Sequence, residues 1–246
     1  MRLALQIAPM VLLVALLGMS RAGLHGTATR ARRAGRVEGT VVISKSLSAH
    51  RPRFRIYAGD GAALMPPAGD TVDERRNVVL YLVPAAAAAS DADAGSVADH
   101  AVVRQRDERF APHVVVVRRG ATVDFPNEDA VFHNVFSLSS AKEFDLGRYP
   151  RGSSKSLVFE RPGVVQVFCH IHADMSAIVL VLENSLFAQP DSSGRFVIDD
   201  VPPGEYTVVG WHERIRPVTH VIRVQAGHTS AIDFNIPLPA GGARER

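Results

Sequence analysis

Cysteine is almost absent from this chain: Cys169 stands alone among 246 residues. One thiol cannot form an internal disulfide, and in an oxidising compartment a lone thiol is a liability unless it is buried or used. Charge of one sign is lacking too, since 28 Lys and Arg face 25 Asp and Glu. No basic face is interleaved with aromatic residues, which argues against a nucleic-acid-binding protein. A sustained 3.6-residue apolar period is missing, so helices contribute little. There is no G-x-S-x-G elbow, phosphate-binding glycine loop or H-E-x-x-H pair, and no carboxylates are placed recognisably for acid–base work. The chain is therefore not read as an enzyme.

A long apolar run occurs only at the N-terminus. Arg2 precedes the mostly apolar stretch Leu3 to Met19, and Ser20-Arg21-Ala22 offers small residues at a cleavage site. Residues 1–22 are expected to be a Sec-type signal peptide, which implies a periplasmic location. Left uncleaved, the run is the one feature that would tie the chain to a membrane, although it is short of the roughly 20 apolar residues a span needs. No twin-arginine pair precedes it, so export in the unfolded state and metal uptake afterwards are expected. Arg30, Arg32, Arg33 and Arg36 fall in a flexible basic leader, 23–36. Removal of residues 1–22 takes away Arg2 and Arg21, leaving 26 basic against 25 acidic residues.

The rest of the chain reads as all-β. Short Val-, Ile-, Phe- and Tyr-rich runs are separated by Gly, Pro, Asp and Asn. Two sandwich-like regions are expected. One is 102–183. The other is 185–238, completed by 37–84, because two strands alone make no core. The first would then be an insertion within a discontinuous second. The alternative places 37–84 as edge strands on the first. Pro84–Asp99 reads as a flexible loop, and 239–246 as a flexible tail.

The chemistry gathers in 102–183. Cys169-His170-Ile171-His172-Ala173-Asp174-Met175 has the spacing C-x-x-H-x-x-M at the end of an apolar strand, and His133 lies upstream after Phe125-Pro-Asn-Glu-Asp. A thiolate, two imidazoles and a weak thioether form the donor set of a blue-copper site, for one mononuclear copper cycling between Cu(I) and Cu(II). His133, Cys169, His172 and Met175 are the candidate ligands. Strand alternation turns His170 away and makes it the alternative ligand. Zinc, which takes His and Cys without a thioether, is the alternative metal. An inert buried thiol with ordinary polar and core neighbours is the bland reading. His113, His212, His220 and His228 read as structural or surface residues.

These motifs resemble the cupredoxins, the group of plastocyanin, amicyanin and pseudoazurin. Gly120 to Asn134 is similar to the strand, turn and first ligand of that group, and Pro162-Gly163 also fits. The resemblance implies a Greek-key β-sandwich, and for Asn134 a hydrogen-bonding role tethering the ligand loops. Ile171 departs from the proline often found before the second histidine. Phe144 to Tyr149 is a candidate partner loop or lid. Asp191-Ser-Ser-Gly, Val201-Pro-Pro-Gly-Glu-Tyr and Gly39-Thr-Val resemble a carboxypeptidase regulatory-like, or transthyretin-like, β-sandwich. The combination is similar to exported bacterial proteins labelled methylamine-utilisation-like.

The expected function is one-electron transfer with a redox partner, a cytochrome or an oxidoreductase. The alternatives are copper binding and delivery, or a non-redox interaction or carbohydrate-binding module acting through the second sandwich.

Overall fold

The computed structural model describes residues 34–44, 73–85, 100–172 and 174–236. The signal peptide, nearly all of the basic leader, most of the Pro84–Asp99 loop and the 239–246 tail lie outside the described residues. So does the middle of the 37–84 segment. No helix among the described residues is long and apolar enough to cross a membrane.

The described chain is almost all strand. One 3-10 turn, Glu74–Asn77, is capped by the Asp73 side chain accepting from the Arg75 N–H. The strands run β1 (Gly35–Ile43), β2 (Val79–Pro84), β3 (His100–Val102), β4 (Arg104–Arg106), β5 (Arg109–Ala111) and β6 (Val114–Arg118). Next come β7 (Thr122–Pro126), β8 (His133–Ser139), β9 (Lys142–Tyr149), β10 (Ser154–Val158), β11 (Gly163–Phe168) and β12 (Ser176–Leu182). The last are β13 (Phe187–Ala188), β14 (Arg195–Val201), β15 (Gly204–Trp211), β16 (Val218–Val224), β17 (Thr229–Ala231) and β18 (Phe234–Ile236).

Four larger sheets stack face to face. A three-stranded sheet, β10-β7-β3, faces a five-stranded sheet, β6-β12-β11-β8-β9. Between them lies one apolar layer that includes Val123, Phe125, Val135, Val165, Val167 and Val179. The sheet β13-β2-β15-β16 faces the sheet built around β1, which pairs with β14, β17 and β18. Leu80, Leu82, Phe196, Tyr206, Val208 and Phe234 fill that second layer. The early strands β1 and β2 thus pair with the C-terminal strands: Gly39 opposite Phe196, and Leu80 opposite Gly210.

A third apolar layer joins the two sandwiches. It holds Val79, Val114, Ile178, Leu180 and Leu182, with Tyr81, Val116, Phe187 and Trp211 against them. Successive strand residues face opposite sides. Ala177, Val179 and Val181 of β12 therefore enter the first core, while Ile178, Leu180 and Leu182 enter the junction. Burial on both faces explains why β2, β6 and β12 read as continuous apolar runs rather than alternating ones.

Two expectations change. Strand β1 starts at Gly35, so Gly35 and Arg36 belong to the sheet and not to the leader; Arg36 pairs with Thr229 and binds Asp199. The 144–149 stretch is no lid. It is part of β9, antiparallel to β8, with Phe144 and Leu146 turned to the core and Glu143 and Asp145 to solvent. The glycine in Gly39-Thr-Val has a steric cause: a Cβ there would lie 1.7 Å from the Ile232 carbonyl oxygen.

Candidate metal centre

The first sandwich brings three donor side chains together at one end. His133 opens β8, Cys169 follows β11, and His172 stands in the turn that leads to β12. Their ligand atoms lie within 4.8 Å of one another. The Nδ1 atoms of His133 and His172 are 3.0 Å apart, and Cys169 Sγ is 4.0 and 3.9 Å from them. The turn closes through its backbone. Met175 N–H donates to the His172 carbonyl at 3.0 Å, and Cys169 N–H donates to the Met175 carbonyl at 3.3 Å. Met175 is wholly buried and belongs to the same apolar cluster as Cys169.

Hydrogen bonds settle which nitrogen of His133 is free. Its Nε2 is 2.8 Å from Asp129 Oδ2, and a carboxylate only accepts, so Nε2 carries the proton. Nδ1 then presents its lone pair to Cys169 and His172. Asp129 is itself fixed by the tip of the β4–β5 hairpin. The N–H groups of Asp107 and Glu108 donate to its two oxygens at 2.7 and 2.9 Å. Both tip residues have positive φ, 54° and 53°, as a two-residue type I′ hairpin turn requires. Burial alone would raise the Asp129 pKa. The hydrogen bonds from Glu108, His133 and Asp107 outweigh it and hold the carboxyl below its ordinary value. Glu108 also approaches the other imidazole, with Oε2 4.0 Å from His172 Nε2.

Asn134 joins the two ligand segments. Its side-chain oxygen accepts from the His170 N–H at 2.7 Å. The His170 ring turns outward and stacks on Phe136, with centroids 3.7 Å apart and planes 4° apart. It takes no part in the donor cluster. Asn127 braces the loop before His133, donating to the carbonyls of Val131 and Tyr149 at 2.9 and 3.0 Å.

The donor triangle can be tested for size. An ion about 2.05 Å from two nitrogens 3.0 Å apart sits about 1.4 Å from their midpoint, which leaves roughly 2.3 Å to Sγ in the same plane. That matches ordinary metal–imidazole and metal–thiolate bonds, so one ion fits all three donors. The chemistry of the set, one soft thiolate and two imidazoles in a plane with a thioether on the same loop, suits copper. Sequence reading passes over Asp129 and Glu108. The only local signal is an aspartate four residues before His133, inside what reads as a turn.

No protein-family profile and no curated protein matches this sequence. Among solved structures, the chain is similar to a Cu-containing nitrite reductase (NirK) from Thermus scotoductus SA-01. There the identity is 25% and the TM-score 0.32, over 33% of this chain and 22% of that one. It is also similar to a purple cupredoxin from Nitrosopumilus maritimus, with 24% identity and a TM-score of 0.31, over 33% of this chain and 99% of that one. An oxidised mutant of amicyanin gives 26% identity and a TM-score of 0.32, over 36% of this chain and 89% of that one. These likenesses are confined to about a third of the chain. What the site can bind is decided by its own donor atoms.

Proposed function

We propose that the protein is a blue-copper electron carrier, with His133, Cys169 and His172 as equatorial ligands and Met175 as the axial one. The observation that carries this reading is the convergence of two Nδ1 atoms and one thiol sulphur on a point that an ion can reach from all three. Copper held there would shuttle between Cu(I) and Cu(II), moving one electron per cycle.

The surroundings favour a carrier over a copper-delivery protein. His133 and Met175 are fully buried, and Cys169 nearly so. Asp129 fixes the His133 ring, and Asn134 fixes the backbone beside Cys169. Groups held this way do not need to move when the charge at the site changes. Delivery requires the opposite, donors that let go. His172 is the accessible edge, its side chain 22% exposed, and it is the proposed electron path to a partner. Phe132, 56% exposed, precedes His133, and Ile171 precedes His172, so each imidazole has an exposed apolar neighbour in sequence. The acidic Asp107 and Glu108 lie beside them. A redox partner, cytochrome or oxidoreductase, with an apolar patch rimmed by basic residues fits such a surface. Periplasmic export by the N-terminal signal belongs to the same reading. Catalysis does not, because a trigonal ligand set with an axial thioether leaves no open position for substrate.

Titration with Cu(II) tests the reading. One equivalent should produce an intense thiolate-to-copper band at roughly 600 nm. A protein that binds copper without colour sinks the assignment. Reversible voltammetry supports the carrier, and ready loss of copper to an apo-acceptor would replace it with delivery.

A further inference from the structure

Among the described residues the second sandwich contributes no donor atom, yet it touches the ligand turn through one histidine. His113 stands just before β6. Its Nδ1 is 3.0 Å from the Ser176 carbonyl oxygen, and its Nε2 is 2.8 Å from Glu213 Oε1. The backbone takes part as well, since the His113 carbonyl accepts from the Ile178 N–H at 2.7 Å. Glu213 belongs to the turn after β15, two residues beyond Trp211, which packs in the junction layer. The Ser176 carbonyl oxygen and the Glu213 carboxylate flank the ring on its two nitrogens, so His113 bridges the ligand turn and the second sandwich. Both side chains are largely covered, 18% and 21% exposed.

The point of attachment matters. Ser176 directly follows Met175 and pairs with Phe168 at the foot of the turn. The Met175 backbone is bonded to His172 on one side and Cys169 on the other. Ser176 is therefore the outer post of the loop that carries three of the four proposed ligands. A thioether at the axial position of such a site makes a long, weak bond. A weak bond cannot pull its own ligand into place, so the distance is left to the backbone that presents it.

We propose that Glu213 is a positioning residue for the axial ligand: through His113, the C-terminal sandwich fixes Ser176 and thereby the place of Met175 at the metal. This rests on His133, Cys169, His172 and Met175 holding copper. His113 is the pivot, gripping the start of β12 by side chain and backbone at once. Glu213 is its anchor on the opposite sandwich, at a turn seated by Trp211.

The test uses the full chain with Glu213→Ala and Glu213→Gln, each checked for an unchanged far-ultraviolet spectrum. Amide hydrogen exchange over residues 174–178 is read without metal, and the reduction potential is read with copper bound. Glu213→Ala should speed exchange at Ser176 and Ile178 by about tenfold. It should shift the ratio of Cu(I) to Cu(II) affinity at least threefold, or about 30 mV at 59 mV per tenfold. Glu213→Gln keeps an oxygen that can accept from Nε2–H, and should stay near wild type in both. The proposal is overturned if Glu213→Ala changes neither reading. It also falls if exchange rises while the potential holds, since the contact would then order the strand without placing the ligand. Equal shifts in the Gln and Ala variants would assign the effect to charge and sink the hydrogen-bonded clasp. A wild-type protein without the roughly 600 nm band removes the copper reading itself. The exchange measurement would then still report separately whether Glu213 holds the strand.

Discussion

In the sandwich that carries Cys169, the buried polar side chains lead toward one end. Tyr149 donates to the Phe125 carbonyl at 2.8 Å, Asn127 holds the loop before His133, and Asn134 holds the segment after Cys169. The other sandwich also buries polar groups, and one set of them closes on itself. Glu74 takes the Asn77 amide at 2.7 Å and His212 Nε2 at 3.2 Å, while His212 Nδ1 accepts from the Arg214 N–H. Buried polar groups are expected to find partners, and these do; Gln105 Oε1 in the first sandwich is an exception. Among the described residues, only the first sandwich leaves lone pairs aimed at a common point. A buried histidine is thus uninformative alone: His133 and His212 are both fully buried, and they differ in what their second nitrogen faces.

That contrast can be broken by removing what each side depends on. Cys169→Ser should abolish the visible band while the far-ultraviolet spectrum of a β protein persists. Colour that survived would show that the thiolate is not a ligand. Leu82→Ala empties a fully buried position in the second core and should cost about 2–5 kcal/mol in denaturant unfolding, with the band of the folded protein unchanged. A shifted band would mean that the second core shapes the site directly. Asp129→Ala should weaken metal binding by roughly 10–100-fold, measured by competition with a chelator, because the hydrogen-bonding partner of a ligand histidine is lost. Unchanged affinity would reduce Asp129 to a loop brace.

The smallest expected effect is the pH dependence of the second sandwich. Asp233 accepts from the Thr40 hydroxyl and N–H at 2.6 and 2.8 Å, and these bonds hold its pKa below the ordinary value. A depressed carboxylate pKa stabilises the fold above the unfolded value, about 3.9, and that contribution is lost as pH falls through the folded value. Asp233→Asn should therefore flatten the acid limb of stability below about pH 4, with little change at neutral pH. An unaltered acid limb would place the sensitivity elsewhere, with Asp191, held low by Ser193 and Arg195, as the next residue to change.

The proposed ligands are legible in the sequence because their residue types are scarce and their spacing is local. One cysteine, a histidine three residues on and a methionine three beyond that need no fold to be noticed. The residues that steady them are legible only in three dimensions. Asp129 looks like any turn aspartate until the β4–β5 hairpin closes over it. His113 and Glu213 are 100 residues apart and meet only across the junction. The short strands β4 and β5 escape notice because three residues carry too little pattern, and because their turn uses Asp and Glu where glycine or asparagine is the usual signal. β9 is hidden by its charges. Its alternation is regular, but Glu143, Asp145 and Arg148 make it read as a surface loop.

Strand β12 has no outward face. One side belongs to the core beneath the metal donors and the other to the layer shared with Tyr81 and Trp211. The portion bearing Cys169 therefore cannot be cut free of its neighbour without cost. Excised, it would bare Val114, Ile178, Leu180 and Leu182 to water, an apolar sheet face of the kind that seeks a second copy of itself. Inheritance should follow the same logic. A change at Tyr81 or Trp211 is felt at the back of the strand that begins beside Met175, so the two halves of this chain are bound to vary together.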